Sequence, residues 1–355
     1  MKILISGGCG FLGSNIAAHA LNQGDQVFVV DSLFRKGSKE NKLWLKSQAK
    51  ENQLTVDCFD IADYERVNHF FERYGPFEAI AHLAGQVAMT TSMSDPRRDF
   101  LTNAVGTFNL LEATRIYSPE AVFVYSSTNK VYGEMKHIRL EETDTRYIAA
   151  DFPEGFDQSF PLDFSSPYGC SKGAADQYVR DWHRNFGLNT VVFRHSSIYG
   201  GRQFSTFDQG WVGWFCLQAL LQKQALEAGK SPEPFTIAGS GKQVRDVLHS
   251  DDLISLYRAA FTLGKRVAGS IFNIGGSMTN SLSLLELFDF LEKFLGIQLK
   301  FEHLPPRHSD QKVFVADINL AQEHLCWSPQ VSYNKGIEQQ ILWVSESLNS
   351  GFLDF

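Results

Sequence analysis

Lys2-Ile3-Leu4-Ile5-Ser6-Gly7-Gly8-Cys9-Gly10-Phe11-Leu12-Gly13 decides the fold of this chain. Three apolar residues after Lys2 read as a buried strand, and the helix that follows carries Ile16, Ala17, Ala20 and Leu21 on one stripe. Between them lies GxxGxxG. Gly7 permits a tight turn, Gly10 removes a side chain where backbone must approach a ligand, and Gly13 lets the helix pack on the strand. A helix N-terminus exposed in this way binds an anion, so the pattern predicts a pyrophosphate cradle, with Phe11 and Leu12 beside it. Alone, the triplet fits any glycine-rich strand–helix turn. Asp31 narrows it. The next apolar run, QVFVV, ends on this carboxylate 18 residues past Gly13, where it can accept hydrogen bonds from ribose hydroxyls and would repel a 2′-phosphate. The expected dinucleotide is NAD.

Working outward, β-branched runs and amphipathic stretches alternate through LTVDCFD, EAIAHLAG, NAVGTFNLLEATR, AVFVYSS, TVVFRHSSIYG and, after a long excursion, SIFNIGG. Alternation at this spacing predicts an α/β fold, a Rossmann-type doubly wound parallel sheet. We assign residues 1–195 to an NAD-binding domain, to which the chain returns at about 245–275, and residues 196–355 mainly to a smaller α/β substrate lobe. Asp60 and Ile61, after the third strand, are candidates to contact the adenine, and a polar loop residue after a strand is equally ordinary.

With 355 residues, 43% of them hydrophobic, the chain can bury a large core. Its formal charge of -7 argues against general affinity for nucleic acid or an anionic membrane. No apolar run reaches the roughly 18 residues of a membrane span, and the N-terminus runs into a strand without a signal-like segment. The five cysteines form no CxxC pair and have no histidines at ligand spacing, so we expect reduced thiols in a cytoplasm and no metal site.

The strand AVFVYSS leads into Thr128-Asn129-Lys130, and 40 residues past Thr128 stands Tyr168-Gly169-Cys170-Ser171-Lys172 at the head of another amphipathic helix. Four residues apart, Tyr168 and Lys172 share a helix face. An ammonium there can favour phenolate and bind a ribose, the tyrosine can take a proton from an alcohol as hydride leaves its carbon, and the Thr128 hydroxyl can position the same oxygen. YxxxK is common on helices by chance. Following a dinucleotide cradle and a strand ending Ser-Ser-Thr, it predicts alcohol oxidation.

Together GGCGFLG, HLAGQ, NAVGT, SSTNKVYG, YGCSK and FRHSSIYG resemble the extended short-chain dehydrogenase/reductases, specifically the nucleotide-sugar epimerases and dehydratases, over nearly the whole chain. The resemblance implies that His82, Leu83, Ala84 and Gly85 pass beside the cofactor, that Asn103 helps position it, and that Arg194, His195, Ser196 and Ser197 pass its nicotinamide end. Without it, His82 and His195 read as core histidines, and neither is assigned acid–base work. Dehydratases of this family carry Asp-Glu directly after the threonine. This chain has Asn129-Lys130, which disfavours elimination and leaves oxidation followed by reduction from the other face.

The C-terminal half supplies candidate pyrophosphate ligands: Arg245 in GKQVRD, Arg307 in PPRHSD and Arg202 in GGRQF. A guanidinium binds phosphate as a planar fork, and each of these is otherwise a surface or salt-bridged arginine. In relatives, arginines in the first two motifs hold the nucleotide diphosphate. Asn129 is a candidate to hydrogen-bond the sugar or a turn former. Trp211, Trp214 and Phe215 line a pocket or fill a core. The stretches PEGFDQSFPLDFSSPYGCSKGAADQYVRDW and FRHSSIYGGRQFSTFDQGWVGWF are similar to the CDP-tyvelose (CDP-paratose) 2-epimerase group. That resemblance implies inversion of C2 in a CDP-linked sugar through a 2-keto sugar, with tightly held NAD regenerated each cycle. It also implies a cytoplasmic homo-oligomer, a dimer or tetramer, serving lipopolysaccharide O-antigen synthesis. The rivals are a UDP-sugar 4-epimerase, a nucleotide-sugar dehydrogenase releasing NADH, and an NAD(H)-sensing binding protein, for which loss of the tyrosine or lysine is expected.

Overall fold

Seven parallel strands form the spine of the computed structural model, which describes residues 1–307 and 309–350: β1 Lys2–Ser6, β2 Gln26–Asp31, β3 Leu54–Cys58, β4 Ala79–His82, β5 Val122–Thr128, β6 Asn189–His195 and β7 Ile271–Ile274. Their order across the sheet is β7-β6-β5-β4-β1-β2-β3. The strands are nearly all apolar because both faces are covered. Ile3, Ile5, Val27, Val29, Val122, Val124 and Phe193 pack to one side, under Ile16 and Leu21 of helix Phe11–Asn22 and Leu253, Leu256 and Tyr257 of helix Ser250–Leu263. Leu4, Phe28, Val30, Ile80, Phe123 and Tyr125 pack to the other, with Phe70, Leu110, Ala175 and Trp182.

From β1 the chain winds outward to β2 and β3, then returns to β4 on the opposite side of β1. At such a switch point the loops after the two strands diverge and leave a crevice at their C-terminal ends. Gly7 follows β1, and Leu83, Ala84 and Gly85 follow β4. That is where the cleft lies.

A second core gathers Tyr199, Val212, Phe215, Leu217, Phe235, Leu287, Phe288, Ile337 and Ile341 from helices Trp211–Glu227, Leu284–Leu295 and Tyr333–Asn349 and the Ser197–Tyr199 and Phe235–Ala238 strands. The middle helix starts on a capping box, the Ser283 hydroxyl accepting from the Glu286 N–H while the Glu286 carboxylate accepts from the Ser283 N–H. Strand Val244–His249 ties the cores together: Val247 belongs to the second and Leu248 to the first. It pairs in parallel with Ser197–Tyr199, just past β6, so Arg245 is carried on a strand held next to the main sheet.

Candidate active site

A cleft of about 410 Å³ runs from the glycine turn to Thr128 and Tyr168. At one end Gly7 adopts φ +72° and donates to the Val30 carbonyl at 2.7 Å, and Gly10 donates to the Gly7 carbonyl at 3.0 Å. A Cβ on Gly7 would lie 2.6 Å from the Ala84 nitrogen, and one on Gly13 would meet the Gly7 carbonyl. Backbone therefore packs on backbone here, and only glycine permits it. No side chain caps the helix that begins at Phe11, and Gly10, Phe11, Leu12 and Gly13 line the cleft. Asp31 also lines it, accepting from the Cys9 N–H at 2.9 Å and the Leu33 N–H at 2.7 Å. A carboxylate offers about four acceptor sites, so two N–H partners leave room for ribose hydroxyls. Burial raises its pKa, and these backbone donors pull it back. Asp60 and Ile61 line the same end, the Asp60 carboxylate accepting from the Ala62 N–H.

At the other end, the tip of β5 presents Ser126, Ser127 and Thr128, and helix Ser166–Phe186 presents Tyr168. Burial pushes the Tyr168 phenol up to about 12, and a hydrogen bond with the Thr128 hydroxyl opposes the rise. Lys172 stands one turn on from Tyr168 in the same helix. Its Nζ donates to the Ser126 carbonyl at 2.5 Å, 4.3 Å from the Tyr125 ring centroid, behind the wall that Gly85 and Ser126 form. A Cβ on Gly85 would lie 3.8 Å from that ammonium. Burial lowers Lys172 to about 7, with Asp176 and Asp99 holding its charge.

The remaining candidates divide between the cleft and the structure behind it. Asn103 does not line the cleft: its amide donates to the Gln86 carbonyl and the Ser171 hydroxyl, and its carbonyl accepts from the Gln86 N–H at 2.9 Å. It fixes the loop after β4, from a π-helical stretch, Leu101–Val105. Asn129 donates to Gln311 at 3.2 Å and is likewise behind the wall. Arg202 lines the cleft, yet its Nε donates to Asn41 at 2.9 Å and its guanidinium stacks 4.5 Å from the Trp44 centroid, pinning its loop to helix Ser38–Gln48. His82 is a satisfied core histidine, bonded to Ser6 at 2.7 Å and Thr107 at 2.8 Å. The Thr107 hydroxyl donates to the Asn103 carbonyl, so it accepts from His82 Nε2. Trp211 lines the cleft, whereas Trp214 and Phe215 pack in the second core. His195 also lines the cleft, buried, with neither ring nitrogen partnered and its pKa lowered to about 3 by burial.

Arg245, on strand Val244–His249, and Arg307, in a loop, both act on Asp310, which was not singled out: the first by contact and the second by its charge. Arg245 bonds that carboxylate at 2.7 Å and Lys130 bonds it at 3.2 Å, and against the effect of burial the charges of Lys130, Arg245 and Arg307 hold it down at about 2. Arg307 also donates to the Phe207 carbonyl at 3.2 Å. Equally invisible beforehand was the buried pair of Arg194 and Asp176, a two-pronged contact at 2.9 Å per prong, to which Ser127 adds a 2.7 Å hydrogen bond. Arg35 and Arg98 add a basic rim to the cleft.

Residues 3–275 match the NAD dependent epimerase/dehydratase family. The chain is 53% identical over 345 residues to the CDP-paratose 2-epimerase of Salmonella typhi, covering 97% of this chain and 99% of that one. It is 30% identical to the dTDP-glucose 4,6-dehydratase of Salmonella typhimurium, covering 97% and 92%. Among solved structures it resembles the UDP-glucose 4-epimerase of Thermotoga maritima with UDP-glucose, at TM-score 0.79 and 28% identity over 98% of this chain and 100% of that one. It resembles equally the UDP-glucuronic acid 4-epimerase of Bacillus cereus with UDP-glucuronic acid and NAD, at TM-score 0.79 and 26% identity over 98% and 99%. With its glycine cradle and its facing threonine and tyrosine, this chain belongs to the NAD dependent epimerase/dehydratase family.

Proposed function

We propose that this enzyme inverts C2 of a CDP-linked sugar, converting CDP-paratose to CDP-tyvelose. The observation that carries the reading is the full-length 53% identity to a CDP-paratose 2-epimerase, on a chain that places Thr128 and Tyr168 together at the mouth of a dinucleotide cradle. NAD fits that cradle, with Gly10, Phe11, Leu12, Gly13, Asp31, Asp60, Ile61, Leu83, Ala84, Gly85 and the unpartnered His195 to hold it, and when bound it accepts and then returns a hydride at the sugar carbon. Tyr168 as phenolate takes the hydroxyl proton and the resulting phenol gives it back, with Thr128 orienting that oxygen. Lys172 acts from behind, its amine anchored on the Ser126 carbonyl. Asn103 supports the Gln86 loop that walls the cleft. Arg245 and Arg307 take the diphosphate, and residues 196–355 mainly form the sugar-nucleotide lobe. Asn129 and Arg202 act through the walls they stabilise rather than on the sugar.

Phe108, Ile116, Tyr178 and Phe186 lie exposed along helices Gly106–Tyr117 and Ser166–Phe186. A contiguous apolar face of this kind supports a homo-oligomer built through these helices. All five cysteines are free, which favours a reducing cytoplasm, and no helix among the described residues is long and apolar enough to cross a membrane. Purified enzyme mixed with CDP-paratose tests the reading: C2 inversion observed by NMR supports it, and unchanged substrate in the presence of NAD rejects it.

A further inference from the structure

Lys130 is used by nothing in the reading above. It sits two residues past Thr128, in the turn Asn129–Tyr132 that leaves the tip of β5. Its side chain is only 19% exposed, and its Nζ lies 3.2 Å from Asp310 Oδ1 and 3.4 Å from Gln311 Oε1. Arg245 reaches the same Oδ1 from another strand, at 2.7 Å. The Arg307 charge also acts on both Lys130 and Asp310. Two cations thus contact one carboxylate, and the exposed Arg307 adds a third positive charge acting on it. Crowding positive charge round a largely buried lysine is unfavourable unless an anion completes the group: burial and both arginines lower Lys130 to about 8, with Asp310 opposing them. The missing charge has the size and sign of a diphosphate. Of the three cations, Lys130 is the one tethered beside the catalytic threonine.

We propose that Lys130 is a third phosphate-binding cation, engaging the phosphate next to the sugar and so setting how the sugar ring meets Thr128 and Tyr168. This rests on the nucleotide-sugar reading. Asp310 is its resting counter-ion, shared with Arg245. Because Arg245 keeps Asp310 paired, removal of the lysine leaves no lone buried carboxylate and the fold should survive.

The test uses NAD-loaded wild-type, Lys130→Met and Lys130→Arg proteins, with calorimetric titration of CDP and of CMP, which lacks the sugar-side phosphate. A charge-assisted hydrogen bond corresponds to roughly tenfold to hundredfold in affinity. Lys130→Met should lose about that much for CDP and little for CMP, Lys130→Arg should recover most of it, and KM for the sugar nucleotide should rise more than kcat falls. Equal CDP affinity in wild type and Lys130→Met, or equal losses for CDP and CMP, overturns the proposal. A wild-type protein that ignores CDP but binds another nucleoside diphosphate with the same dependence on Lys130 supports the residue's role and corrects the base. Binding of no nucleoside diphosphate overturns both readings.

Discussion

Lys172 donates to the main-chain carbonyl of Ser126, at 2.5 Å, and so ties the helix that carries Tyr168 to the strand tip that carries Thr128. The bond orients a charge that burial disfavours. In the folded protein Lys172 sits near 7, against an unfolded lysine value of about 10.4. A depressed lysine binds its proton less tightly folded than unfolded. Its penalty is therefore complete below pH 7, shrinks between 7 and about 10, and is gone above. Stripped wild-type protein should gain stability relative to Lys172→Met over that interval, by urea midpoints at several pH values. A difference independent of pH would contradict this assignment of the charge.

Tyr168→Phe removes the phenol oxygen and preserves the buried ring. Turnover should fall by roughly 10²- to 10⁴-fold, the usual contribution of a positioned acid–base group, with NAD affinity unchanged. Stability should change by only about 1 kcal/mol, from the lost hydrogen bond with Thr128. Steady-state rates and NAD titration on one preparation separate the two effects.

At Gly13 an added Cβ meets the Gly7 carbonyl, and both atoms belong to backbone fixed by the strand and helix. Gly13→Ala should force the turn open, costing about 1–3 kcal/mol and weakening NAD binding strongly. The same change at Gly24, where a Cβ meets nothing within 4 Å, should leave NAD affinity intact. Equal NAD affinity in both variants would mean that the turn does not form the cradle.

Lys130 faces Asp310, Gln311 and Arg245 and feels the charge of Arg307. Its pKa is lowered to about 8, so its proton leaves as pH rises through that value and an anion must then bind a neutral amine. KM for the sugar nucleotide should increase above pH 8 in wild type and stay flatter in Lys130→Arg, whose guanidinium keeps its charge. Coincident profiles would remove Lys130 from the phosphate site.

Local spacing made the cofactor half legible. Gly7, Gly10, Gly13 and Asp31 lie within one strand–helix–strand unit, and the sheet order follows from that unit repeated. Thr128 and Tyr168 were readable because each ends or opens a recognisable element. Pairings across long stretches of chain were not. Asp176 meets Arg194 only once its helix packs on the neighbouring strand, and Asp310 meets Lys130 and Arg245 only once distant segments of the chain come together. For the same reason Asn103, Asn129 and Arg202 looked available to a ligand: a sequence displays a side chain's capacity for hydrogen bonds but not the Gln86, Gln311 or Asn41 that already uses it.

The central claim is a redox-neutral inversion with NAD restored each cycle. Following C2 configuration by NMR while monitoring reduced nicotinamide by absorbance, in purified enzyme supplied with CDP-paratose, addresses it most directly. The account expects CDP-tyvelose to accumulate toward equilibrium over many turnovers with no net NADH. NADH rising in step with consumed substrate, or NAD present and C2 left uninverted, would contradict it.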